Sequence, residues 1–165
     1  MAPTAAALHA SAMSTPSPSQ MQILSESECW KLMSGCEVGR LGISIMNQPD
    51  IFPVNFVVDF DTIVFRTAEG TKLAAAVLGR GVAFEVDGYD SCAGEAWSVV
   101  AKGEAVEIEE MYELFAAEDL PLFPWHVSPK LCFVRINPDV ITGRRFVVDQ
   151  TALRHAEPAT SPGIA

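Results

Sequence analysis

The segment richest in potential chemistry runs from Ile63 to Lys72, in the order Ile-Val-Phe-Arg-Thr-Ala-Glu-Gly-Thr-Lys. Alternation in its first half predicts a strand ending on Arg66 and Thr67. The alanine-rich run after Gly70 predicts a helix from Thr71 to Leu78, stopped by Gly79. Thr71 and Lys72 then stand at a helix start, where free backbone N–H groups and the helix dipole favour an anion. Hydroxyls from Thr67 and Thr71, with the charges of Arg66 and Lys72, complete a set of donors suited to a phosphate. The spacing is not that of a P-loop, which needs two glycines flanking four residues and then a lysine. An ordinary capped helix with a solvated lysine fits the same residues.

Other polar and aromatic residues carry weaker signals. Asn55 in a strand pattern is more often a satisfied amide than a ligand contact, and Trp97 is more often core than a cofactor wall. Arg40, Arg144 and Arg145 fit solvated surface charges or interface pairs, and surface pairs contribute little. His126 is the one histidine between residues 21 and 150, in a loop with Pro124, Trp125 and Pro129. Without an activating partner it is a poor general acid or base. No Ser–His–Asp set and no activated cysteine nucleophile can be read, so no catalytic residue is assigned. Cys29, Cys36, Cys92 and Cys132 have neither paired C-x-x-C spacing nor a neighbouring histidine. They read as reduced thiols of a cytoplasmic protein, with no metal expected.

These candidates have to be positioned by a mainly β chain. Ser25-Glu26-Ser27-Glu28 matches a capping box that opens a short helix ending near Gly35. Leu41, Ile43 and Ile45 alternate with small residues, predicting a first strand. Asn47–Asp50 is turn chemistry. Strands over Ile51–Asp59 and Thr62–Thr67 follow, with connections so short that the three must form an antiparallel meander. Gly81–Asp87 and Trp97–Ile108 predict two more strands, with a bend or bulge at Gly103. Glu109–Glu118 predicts an acidic helix, Leu120–Trp125 an apolar loop, Leu131–Ile136 a strand, and Val140–Val148 its continuation or partner. About six strands with two or three helices imply a barrel or a tightly curved sheet.

The charge balance narrows the partners. Eleven basic residues against 21 acidic ones give a net charge of −10. A broad nucleic-acid or anionic-membrane surface would need clustered positive charge. No apolar run approaches the length of a spanning helix. Residues 1–20 carry no charged side chain and residues 151–165 only two. Both segments are expected to be loose tails around one domain at 21–150 that can bury a core without a disulfide.

From Leu24 to Phe146 the chain resembles the pyridoxamine 5′-phosphate oxidase-like family of FMN-binding split barrels. The resemblance rests on Glu28-Cys29-Trp30, Val38-Gly39-Arg40-Leu41-Gly42, Pro53-Val54-Asn55-Phe56, Phe65-Arg66-Thr67 followed by Gly70-Thr71-Lys72, Trp97-Ser98-Val99 and Gly143-Arg144-Arg145, in that order. It implies a six-stranded antiparallel Greek-key split β-barrel and a homodimer with two flavin sites at the subunit interface. It implies that Arg66, Thr67, Thr71 and Lys72 hold the FMN phosphate. Pro53, Val54 and Asn55 would run beside the isoalloxazine ring, and Trp97 and Ser98, from the partner or the adjacent strand, would close the ring site. The implied activity is hydride or electron transfer through the flavin to a small-molecule substrate.

The vitamin-synthesising members carry an Arg-x-His near the C-terminus, whereas Gly143-Arg144-Arg145-Phe146 has no histidine following, so the resemblance does not extend to that substrate. A deazaflavin coenzyme on the same barrel ranks second to FMN, because its polyanionic tail would want a basic groove. A non-catalytic flavin- or haem-binding protein and a β-domain that only dimerises are the further readings. Apolar patterning on both Ile51–Val58 and Trp97–Ile108, more than one small barrel interior needs, independently favours a dimer.

Overall fold

The structure, a computed structural model, describes residues 21–67, 80–122 and 132–148. The tails, the predicted helix at 71–78 and the second half of the apolar loop lie outside these residues. The elements are β1 (Gln22–Leu24), α1 (Glu26–Ser34), β2 (Val38–Ile45), β3 (Gln48–Asp59), β4 (Thr62–Thr67), β5 (Arg80–Asp90), β6 (Glu95–Glu107), α2 (Met111–Glu118) and β7 (Cys132–Val147).

Six strands close a ring in the order β2-β3-β4-β7-β6-β5, every neighbouring pair antiparallel. β1 is a seventh strand, a three-residue addition to the edge of β7. The meander β2-β3-β4, with β5 returning beside β2, is a Greek key. β3 serves two partners in succession: residues 48–55 pair with β2 and 56–59 with β4. This division lets a short meander curl into a barrel.

The two hairpin turns are tighter than Asn47–Asp50 suggests. Ile45 faces Gln48 across Met46-Asn47, and Asp59 faces Thr62 across Phe60-Asp61. All four linking residues have positive φ, the two-residue geometry whose twist matches that of paired strands. Gln48, Pro49 and Asp50 therefore belong to β3. Likewise, the two predicted C-terminal segments form one strand, β7. Pro138 lies within this strand, opposite Gly103, where the β6–β7 register shifts. A Cβ on Gly103 would stand 2.0 Å from the Asn137 carbonyl oxygen, so only glycine lets the strands cross there.

The interior is apolar and close-packed. Leu41, Phe56, Ile63, Phe65, Phe84, Val99, Val134 and Ile136 share one cluster with Cys29 and Met33 of α1. The capping box is present as read: Ser25 accepts from the Glu28 N–H, and the Glu28 carboxylate accepts from the Ser25 N–H at 2.8 Å. The helix ends at Gly35, which is right-handed rather than left-handed. A second, smaller core lies outside the barrel, where Val64 and Phe133 meet Ile108 and Ala117 beneath α2.

Candidate functional site

Strand alternation sorts the predicted site residues into two sets. Pro53, Asn55 and Arg66 sit on the outer face of β3 and β4, and Ser98 on the outer face of β6. Val54 and Thr67 belong to the inward phase, at 8% and 3% exposure, and Trp97 shares the inward phase of Val99. Val54 can therefore offer a ligand only its backbone. The Trp97 ring lies on Gly88, where a Cβ would come within 2.5 Å of it. Thr71 and Lys72 lie outside the described residues.

The structure brings Asn55 and Arg66 together. Phe56 of β3 faces Phe65 of β4, so Asn55 and Arg66 are the next residues along the two strands, on one side of that pair. The Arg66 guanidinium stacks 4.6 Å above the Phe133 ring, which fixes a long side chain against the outer core. The Asn55 amide donates to the Glu37 carbonyl at 3.4 Å. Asn55 also lines a cavity of about 370 Å³ between Ser34–Glu37, β3 and Pro121–Leu122. A wider groove of about 740 Å³, bounded by Ile51, Val82, Gly103 and Val140, contains none of the predicted residues.

Trp97 and Ser98 stand apart from that pair. In the ring of six, β6 lies opposite β3, with β2 and β5 between them on one side and β7 and β4 on the other. Ser98 is instead flanked by Asp87 of β5 and Arg144 of β7.

The partners of Arg40 escaped the sequence reading. Arg40 of β2 sits opposite both Pro53 of β3 and Glu85 of β5. Its Nη1 donates to Glu85 at 3.0 Å and to Asp87. Asp87 and then Glu85 hold this guanidinium in its charged form, above the ordinary arginine range. Glu85 and Asp87 are two residues apart on one strand face, but what they meet depends on the β2–β5 pairing, which links strands distant in sequence. Burial pushes the Cys36 thiol up, aided by Asp87 and Glu85, and burial also raises Cys29, so neither is an activated nucleophile. Cys132, opposite Thr67, donates its thiol to Glu107 at 3.0 Å. Among the described residues no group of side chains suits a metal ion, and no helix is long and apolar enough to cross a membrane.

The closed ring of six antiparallel strands with Greek-key connectivity defines the chain as a small β-barrel. The chain belongs to the pyridoxamine 5′-phosphate oxidase family, whose model matches residues 25–145. It is similar to the FAD binding protein of Mycobacterium smegmatis, with 41% identity and a TM-score of 0.68 over 75% of this chain and 97% of that one. A structure from Corynebacterium glutamicum, provisionally described as a pyridoxamine 5′-phosphate oxidase, is 36% identical with a TM-score of 0.71, over 82% of this chain and 99% of the other. An uncharacterized protein of Mycobacterium tuberculosis is 31% identical over 131 residues, 76% of this chain and 86% of its own length.

Proposed function

We propose that the protein binds a flavin nucleotide on the outer face of β3 and β4 and works as a flavin-dependent oxidoreductase on a small molecule. The observation that carries this reading is the placement of Asn55 and Arg66 just beyond the Phe56–Phe65 pair, with Asn55 lining a cavity and Arg66 shortly before the Gly70-Thr71-Lys72 segment in sequence. The donor set fits the group. A phosphate asks for cations and hydroxyls, which Arg66 offers at the strand end and Thr71 and Lys72 offer by residue type in the sequence; a ring asks for a flat apolar strand face with a few amide donors. A bound flavin would supply hydride transfer at its N5 position. The protein's part is to hold the phosphate, orient the ring along Pro53–Asn55 and keep water off it.

The residue reading favours FMN, while likeness to an FAD binding protein supports the dinucleotide equally well. The acidic composition ranks a deazaflavin coenzyme below either. A homodimer belongs to the same proposal. With β6 opposite β3, outward-facing Ser98 reaches a ring on β3 most simply from a second copy, while the Trp97 side chain turns inward.

An absorption spectrum of the purified protein, with mass identification of any released chromophore, is the first test. Flavin bands with FMN or FAD released are expected; no flavin bound after reconstitution with either overturns the proposal. Lys72→Ala then locates the phosphate. A charge-assisted hydrogen bond is worth roughly 1.5–3 kcal/mol, so FMN binding should weaken about 10- to 150-fold. Riboflavin, which lacks the phosphate, should bind both proteins alike.

A further inference from the structure

The Arg40–Glu85–Asp87 group has an asymmetry that a merely structural ion pair does not need. Both carboxylates engage the same nitrogen, Nη1. No described residue engages Nη2 or Nε, although the guanidinium carries five N–H donors in a planar fork. Its side chain is about half exposed, at 52%. As a stabilising device this is poor, because exposed ion pairs contribute little. As a way to aim a donor it is effective: two anchors fix the plane and leave an N–H edge open.

Arg40 itself stands beside the proposed flavin face. Arg40 is the direct cross-strand neighbour of Pro53, and β2 is the next strand along from β3. Arg66 marks the phosphate end of that face, one strand away on the other side of β3. The two arginines therefore bracket Pro53–Asn55, with Arg66 at one end and Arg40 at the other.

We infer that Arg40 is a cofactor-binding residue whose free N–H edge donates to the polar, carbonyl-bearing edge of the flavin ring, with Glu85 and Asp87 as its positioning residues. This rests on the flavin reading above and deepens it by assigning the ring end of the site. A fixed positive charge at that edge favours the negative charge that arrives with electrons, so Arg40 also raises the reduction potential of the bound flavin.

The test compares FMN and riboflavin, titrated by fluorescence quenching into wild type, Arg40→Gln and Arg40→Lys. Because the contact is to the ring, Arg40→Gln should weaken both flavins by the same factor, roughly tenfold or more. This differs from Lys72→Ala, which should discriminate between them. Arg40→Lys keeps the charge without the fork and should fall between. The midpoint potential of the flavin bound to Arg40→Gln should be lower than in wild type, and thermal melting of each variant controls for folding. Unchanged affinity for both flavins, with an unchanged potential, removes Arg40 from the site and leaves the flavin reading intact. A loss confined to FMN overturns the ring assignment. If wild type binds neither flavin, the underlying reading fails and this inference with it.

Discussion

The two described helices are nearly equal in length, nine and eight residues, yet they relate to the barrel in opposite ways. α1 is the less apolar of the two, but it carries a complete capping box and puts Cys29 and Met33, both fully buried, into the main core. α2 is rich in apolar residues, has no side-chain cap, and leaves Met111, Tyr112 and Phe115 between 63% and 72% exposed. Its buried contribution is Ala117, with half-buried Leu114, over the outer core. An ion-pair group assists it: Arg135 of β7 reaches Glu113 of α2 at 2.9 Å and Asp59 of β3 at 3.5 Å. Apolar content therefore does not decide which helix is integral. What decides is whether apolar residues fall at a spacing that meets an opening in the sheet. Gly143 of β7 makes that opening for α1, since a Cβ there would lie 2.6 Å from the Cys29 sulfur.

The sharpest way to break the comparison is Met33→Ala. Truncating a fully buried methionine costs roughly 2–5 kcal/mol, through lost transfer energy and the cavity left behind. Denaturant unfolding should show a loss in that range. A loss under about 1 kcal/mol would mean that α1 is as peripheral as α2.

Second in size is Ser25→Ala. Removing an N-cap serine costs typically about 1 kcal/mol, and α2, without such a cap, offers no equivalent. The effect should depend on pH. Hydrogen bonds from the Ser25 side chain, then from its backbone, hold the Glu28 carboxyl below the usual carboxylate range. A lowered folded value means that this contribution is complete above the unfolded glutamate pKa and is lost as pH falls through the lowered one. The gap between wild type and variant should therefore be constant near neutrality and narrow on acidification below about pH 4. A gap independent of pH would remove Glu28 from the cap.

The same contrast explains what the sequence made legible. α1 was readable because its signal is local: Ser25 and Glu28 are three residues apart, and their hydrogen bonds need no other part of the chain. Strands β2 to β4 were readable because alternation and short connections force a meander. The ring closures were not, because β2–β5 and β6–β7 pairings join distant segments, and the first of them decides that Arg40 meets Glu85 and Asp87. Whether Val140–Val148 continues the strand at Leu131–Ile136 or pairs with it stays open in the sequence for a related reason, since the register shift that carries β7 past Pro138 depends on Gly103 some 35 residues earlier. In the site, residue types suggested which side chains suit a flavin, but direction came from strand phase. Thr67 and Trp97 turn inward with the core while Asn55 and Arg66 turn outward, and no property of the isolated side chains distinguishes them.

A third, smaller effect sharpens the account of α2. Glu113→Gln keeps the shape and removes the charge that faces Arg135, leaving Asp59 as its remaining ionic partner. Both side chains of the Arg135–Glu113 pair are between a fifth and a third exposed, so screening reduces the contribution to about 0.5–1 kcal/mol. The loss should shrink in molar salt, where the Debye length falls to about 3 Å. A loss that ignores salt would assign α2's attachment to the Ala117 and Leu114 contacts alone.

The smallest effect is expected at the outer surface of α2. Tyr112 is 72% exposed, and the flanking Met111 and Phe115 are nearly as open. Tyrosine and serine have similar helix propensities, so Tyr112→Ser changes little within the helix itself. A substitution at an open surface position falls within about ±0.5 kcal/mol, and the denaturant midpoint should move no further than that. The slope of the unfolding transition should also stay the same, because the area exposed on unfolding barely changes. A loss above about 1 kcal/mol would show that Tyr112 is covered in solution. Dependence of that loss on protein concentration would then identify the cover as a second copy of the chain, since only an intermolecular contact makes stability follow mass action.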